Sequence, residues 1–203
     1  MGKAAVRKFS THGMIGSVNI LALSGSLRAA SLNSTLLRAT SRIAPADTAV
    51  EVSNCIASLP LYNPDLEAIL PASVIVLKSQ LTAADAVIIA SPEYAHGVTG
   101  AIKNALDWMV GNESFVDKPV ALFNTSPRAE HAQAALREIL TTMSARVVEE
   151  ACITVPLLGS GLDEDAIVRD IEIGVAVSRA LRALRLSISS ARPNSGSTLL
   201  VAG

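Results

Sequence analysis

The chain has 203 residues and a formal charge of −1; half its residues are apolar, but only 3% are aromatic. That length suits one domain with an aliphatic core, of the kind that buries parallel strands under helices on both faces. The near-neutral balance gives no field toward nucleic acid or an anionic membrane. No apolar run reaches the roughly 18 residues that span a bilayer, so neither partner is expected.

Residues 1–16 are basic and polar with no apolar h-region, and read as a flexible tail rather than a secretory signal. Met14 is an alternative start. Val18 to Ser24 reads as a central strand. Leu32, Leu36, Leu37 and Ile43 then recur at helical spacing, which predicts a helix from Ser31 to Ala44, stopped by Pro45. Residues 49–52 form a short second strand, and 54–66 are irregular around Pro60 and Pro64. Residues 72–83 contain a strand-like Val74-Ile75-Val76-Leu77. A right-handed crossover is needed before the next strand, so a helix is expected there.

The third strand covers 86–91, followed by a helix from Thr99 to Val110 that Gly111 ends. Pro119 to Asn124 is the fourth strand and 129–144 its crossover helix. The fifth strand is either 145–149 or 152–155. One long helix is expected from Asp163 to Leu186, its acidic start facing the positive end of the helix dipole. Residues 191–203 read as a second flexible tail. There are no repeats and no second domain in 17–190. Strands alternating with helices predict a doubly wound five-stranded parallel α/β sheet.

Two segments sit where strands end, the position at which open α/β sheets bind ligands. The first, Ser24 to Asn33, opens into a helix whose backbone amides and dipole suit a phosphate. Ser24, Ser26, Ser31 and Asn33 add polar groups, Arg28 a forked cation, and Gly25 permits a close approach. The plainer use of the serines and Asn33 is to cap the helix. Neither G-x-x-x-x-G-K-[ST] nor G-x-G-x-x-G is present, which argues against ATP or GTP hydrolysis and a dinucleotide clamp.

The second segment is Ser91-Pro92-Glu93-Tyr94-Ala95-His96-Gly97. Pro92 restrains the chain, Tyr94 offers a flat face, and Gly97 removes bulk where a ring would enter. The amides of Glu93 to His96 suit the polar edge of an isoalloxazine, so the two loops together suggest flavin mononucleotide (FMN). His96 is a candidate acid or base, against the plainer reading of a loop histidine. His12, His96 and His131 share no motif, so no metal site is expected. Lys103 and Asp107 are spaced for a surface ion pair. Trp108 is expected to pack, a subunit contact being one place for it. Cys55 and Cys152 stand alone and read as small buried hydrophobes in a reducing cytoplasm.

With both loops in view, the chain resembles the NADPH-dependent FMN reductase family. The match lies in Gly25-Ser26-Leu27-Arg28 with Ser31 and Asn33. It continues in Ser91-Pro92-Glu93-Tyr94 with Gly97, Gly100, Lys103, Asn104, Asp107 and Trp108. The resemblance implies a flavodoxin-like fold, FMN as cofactor, and NADPH or NADH as co-substrate. It also implies a homodimer or homotetramer, and a quinone, metal oxyanion or free flavin as small-molecule acceptor. By the same resemblance the FMN phosphate sits on Ser24, Ser26, Arg28, Ser31 and Asn33, and the ring against Pro92, Glu93, Tyr94 and His96. One departure stands out: residues 124–131 carry no glycine where the family has a glycine-rich turn. Arg128 in that turn is a candidate for the 2′-phosphate of NADPH, or a cap on a surface turn. The alternatives are an FMN electron carrier without NAD(P)H turnover, and a flavodoxin-fold protein without its cofactor.

Overall fold

The computed structural model describes residues 17–191. The two expected tails lie outside the described residues, apart from Ala191 at the end of the last helix. A parallel sheet runs through the centre in the order β2-β1-β3-β4-β5, with β6 also pairing β4. Its strands are β1 Val18–Ser24, β2 Thr48–Val52, β3 Ala86–Ala90, β4 Pro119–Asn124, β5 Arg146–Val147 and β6 Ile153–Thr154. The parallel sheet is present with six strands rather than the expected five, because each of the two segments offered as alternatives for the fifth strand contributes a short strand. Two two-residue pieces share the β4 edge, separated by a 3-10 turn at Glu149–Ala151.

Each β1, β3 and β4 side chain points alternately to one of two aliphatic cores. Ile20, Ala22, Ile88 and Phe123 pack toward α1 (Leu32–Ile43), α5 (Glu164–Arg169) and α6 (Ile171–Ala191). Leu21, Leu23, Val87, Ile89 and Leu122 pack toward α2 (Ala72–Ala83), α3 (Gly100–Asp107) and α4 (Glu130–Thr142). In α2, the buried positions are Val74, Leu77 and Leu81, at spacings of three and four, while Ile75 and Val76 face solvent. The requirement for a crossover thus prevails over β-propensity, which reports packing context more than backbone preference.

The expected long C-terminal helix is two helices. Asp170 leaves the helical region (φ −73°, ψ 120°), yet its amide still donates to Ala166 and Ile167 carbonyls of α5. Its carboxylate accepts from the Ile173 amide at 2.9 Å, so one residue ends α5 and caps α6. Trp108, 3% exposed, packs inside the chain, with Nε1 donating to the Pro60 carbonyl at 2.8 Å and its ring edge-on to Tyr62. Of the two cysteines, both free, Cys55 is buried and Cys152 half-buried; burial raises both thiols above their ordinary range. Among the described residues no helix is long and apolar enough to cross a membrane.

Candidate active site

The winding direction reverses between β1 and β3, which are direct neighbours, so the loops leaving them emerge side by side. They are fused at their base. The Gly25 amide donates to the Ala90 carbonyl at 2.8 Å, and Thr99 Oγ1 donates to the Gly25 carbonyl at 2.6 Å. Thr99 also caps α3 through the Ile102 amide. Gly25 faces Ser91 rather than open space: a Cβ there would lie 2.2 Å from Ser91 Oγ. Its smallness serves contact between the loops.

In the first loop, Ser31 caps α1 by accepting from the Ser34 amide at 3.2 Å. Ser24 Oγ lies 2.8 Å from Ser34 Oγ and accepts from the Ser26 amide at 3.3 Å. Asn33 is almost fully buried, its Oδ1 accepting from Thr125 Oγ1 at 3.3 Å. The capping reading therefore holds for Ser31. Arg28 is different: it is exposed, and its guanidinium makes no hydrogen bond or ion pair among the described residues. The first amides of α1 lack acceptors within the helix, as at any helix start.

In the second loop, Tyr94 and Gly97 pair across a two-residue turn through bonds of 3.2 and 3.0 Å. Its central residues, Ala95 and His96, have φ of 49° and 57°. A turn of that kind favours Asn-Gly, so two side chains here occupy strained backbone. A Cβ on Gly97 would meet nothing nearer than the Tyr94 carbonyl at 3.8 Å. Glu93 turns sideways, and its Oε2 accepts from the Ala132 amide at 2.9 Å. Ala132 is the third residue of α4, whose own N-cap, Ala129, has no capping side chain. Glu93 is therefore a cap supplied from a distant loop. The bond from that amide holds its carboxyl below the ordinary range, with smaller help from His131 and His96.

The third wall is the turn after β4. Asn124 Oδ1 accepts from the Ser126 amide at 3.0 Å, and the Ser126 carbonyl from the Ala129 amide at 3.1 Å. Residues 124–131 include no positive φ, so this turn closes without needing the glycines absent from the sequence.

These three segments enclose a cleft of about 360 Å³ at the carboxyl ends of the strands, within the roughly 300–1,000 Å³ usual for cofactor sites. Ser26, Arg28, Ser31 and Asn33 line it from the first loop, and Pro92, Glu93 and Tyr94 from the second. Arg128 lines the far wall. Of the expected site residues, Ser24, His96 and Gly97 fall outside the lining. Asn124, Thr125 and Ser126, in the glycine-free turn that the sequence singled out, also line the cleft, as does Leu158, for which the sequence carried no signal. A broader groove of about 670 Å³ runs between Ile43 and α5–α6. It lies beside the far end of α1, away from the strand ends where ligands bind in this architecture. Lys103 and Asp107 form the anticipated ion pair on α3.

The fold brings two of the histidines together. His96 and His131 share no motif, but the fold places their rings 4.5 Å apart, and His96 Nδ1 lies 3.2 Å from Glu93 Oε1.

Residues 18–157 match the model of the NADPH-dependent FMN reductase family, and the chain belongs to that family. It is accordingly an NAD(P)H-dependent FMN oxidoreductase of flavodoxin-like fold. An NAD(P)H-dependent FMN reductase of Pseudomonas aeruginosa is 29% identical over 185 residues, covering 88% of this chain and 100% of that one. A quinone reductase of Escherichia coli is 36% identical over 140 residues, 66% of this chain and 74% of its own length. Among solved structures, the flavoenzyme NAD(P)H:(acceptor) oxidoreductase FerB of Paracoccus denitrificans superposes with a TM-score of 0.76 at 30% identity. That match covers 85% of this chain and 98% of FerB.

Proposed function

We propose that the cleft binds FMN with its phosphate at the Ser26–Asn33 end and its ring edge along Pro92 to Tyr94, serving a reductase of small quinones. The observation that carries this reading is the convergence of two different chemistries on one cleft. An uncommitted guanidinium and a helix start lie at one end, and a proline-restrained loop with an exposed tyrosine face at the other. Bound flavin would supply the hydride chemistry between nicotinamide and acceptor.

The chain's own part is position and polarity. Arg28 neutralises the phosphate, and Ser26 offers a hydroxyl beside it. Ser31 and Asn33 keep α1 and the β4 turn in register, so that the helix start points into the cleft. Pro92 and the Tyr94–Gly97 bridge fix the backbone that meets the ring, and Arg128 recognises the 2′-phosphate of NADPH. A quinone acceptor is supported by the Escherichia coli relative and by a 2-hydroxy-1,4-benzoquinone reductase of a Burkholderia species, 36% identical over 112 residues. A metal oxyanion or free flavin fits the same open site. Exposed Leu61 and Ile69, on the segment tied to α3 by Asn104 and Trp108, support a homo-oligomer. Two unpaired cysteines fit a cytoplasmic setting.

The test is the visible spectrum of FMN-reconstituted protein under anaerobic NADPH, followed by addition of a benzoquinone. Bleaching, then recovery with quinol formation, is the expected result. Bleaching without recovery would remove the quinone from the proposal, and failure to retain FMN would remove the assigned cleft.

A further inference from the structure

We propose that Glu93, His96 and His131 form a binding site for one divalent transition-metal ion of the Zn²⁺ class, bridging the β3–α3 loop to the first turn of α4. One ligand atom from each residue lies within 4.8 Å of the other two. Two imidazoles and one carboxylate are a common three-ligand set for Zn²⁺, leaving a further coordination position for water or an anionic oxygen.

Metal–ligand bonds of about 2.0–2.1 Å bring tetrahedral ligand atoms to roughly 3.3–3.4 Å apart, so the side chains must close by no more than about 1.5 Å. His96 and His131 are both exposed at the surface and can make that movement. The carboxylate is already aimed. Glu93 Oε2 is fixed by the Ala132 amide at 2.9 Å, while Oε1 faces His96 Nδ1 at 3.2 Å. An outer hydrogen bond of this sort orients a ligating carboxylate and raises metal affinity.

The backbone makes the same case. His96 sits at φ 57° in a turn that disfavours a side chain, and that conformation brings its ring against His131, edge to face at 78°. Strain at a loop tip is retained where the surroundings determine it, and here it converges three ligating groups from two elements 35 residues apart in sequence. The positive end of the α4 dipole works against a cation, while the Glu93 carboxylate and Glu130 in the same helical turn offset it. Affinity in the micromolar range is therefore expected, rather than that of a closed structural site. Because Glu93 also lines the cleft, a bound ion would stand at its rim and tie the Tyr94 loop to α4.

The site needs no flavin, so the experiment is independent of the proposed function. Untagged full-length protein, with and without FMN, is titrated with ZnCl₂ by isothermal calorimetry in a non-chelating buffer. One saturable site per chain is expected. It should weaken by at least the roughly 10- to 100-fold that even an outer-shell loss costs, both in His131→Ala and in His96→Asn. Asparagine tolerates positive φ and so keeps the turn; unchanged circular dichroism verifies both folds. Co²⁺ in the same site should show visible d–d bands without a thiolate charge-transfer band. No saturable heat with Zn²⁺, an isotherm unaltered in His131→Ala, or a thiolate band with Co²⁺ would each overturn the proposal.

Discussion

Gly25 and Ser91 touch so closely that a single methyl group between them has no room: a Cβ on Gly25 would lie 2.2 Å from Ser91 Oγ, 2.6 Å from Ser91 Cβ and 3.1 Å from Ser91 Cα. The two residues stand at the ends of adjacent parallel strands, one opening the loop at the phosphate end, the other the loop at the ring edge. Their contact, with the Gly25 amide and carbonyl bonded to Ala90 and Thr99, sets the separation of the two halves of the cleft.

Gly25→Ala should therefore destabilise the fold by about 1–3 kcal/mol, the usual cost of forcing atoms into a packed site. It should also lower FMN affinity by splaying the loops. Ser91→Gly in the same chain removes the two nearest clashes and is expected to restore most of both losses. Urea denaturation and FMN titration of the single and double variants measure this; equal losses in Gly25→Ala with and without Ser91→Gly would place the constraint elsewhere.

Arg28 separates ligand binding from folding. Because its guanidinium has no partner among the described residues, Arg28→Ala should leave the melting temperature where it is. A charge-assisted hydrogen bond to phosphate is worth about 1.5–3 kcal/mol, so FMN should bind about 10- to 100-fold more weakly. Fluorescence titration with FMN, alongside riboflavin, which lacks the phosphate, decides it. A riboflavin affinity reduced as much as that for FMN would show that Arg28 does not read the phosphate.

The elements were legible where local chemistry repeats. Apolar runs gave β1, β3 and β4, while Ser31 and Thr99 marked the starts of α1 and α3 because capping is a local use of a hydroxyl. The break at Asp170 was not legible, since an acidic residue on an amphipathic stretch looks the same on a helix surface as at a junction. The cleft was legible in its first two walls for the same reason as the strands. What remained hidden depends on distance along the chain. Glu93 capping α4 joins residues 39 apart, and no local pattern announces a cap borrowed from another loop. Gly25 was open to reading as a ligand-facing glycine until Ser91 was placed against it.

That borrowed cap makes stability depend on acid. Glu93 is held below the ordinary carboxylate range, chiefly by the Ala132 amide, and the titratable side chains facing it are His96 on its own loop and His131 on α4. The native state thus favours ionised Glu93 more than the unfolded chain does. Its contribution is complete above the ordinary carboxylate range and is lost as pH falls through the lowered native value. Glu93→Gln should melt below the parent at neutral pH, and the gap should close as the solution is acidified past that value. Thermal melts of both proteins across this range test it; a gap that widened with acid would contradict the sign.

Arg128 is the remaining cation of the cleft wall, exposed, and joined to its own turn only through a backbone amide 3.4 Å from Ser126 Oγ. A side chain so placed adds little to stability, and its role should be visible only when a ligand carries a matching charge. The 2′-phosphate is the one group that distinguishes NADPH from NADH, and a forked guanidinium is the side chain suited to it. Arg128→Ala should lower kcat/KM for NADPH by about 10- to 100-fold, as for the loss of one charge-assisted contact. The value for NADH should hold. Steady-state kinetics with both nucleotides at fixed quinone separates the cases. A parallel fall for both nucleotides would mean that Arg128 shapes the cleft rather than reading the phosphate, and no change for either would leave it as the cap of a surface turn.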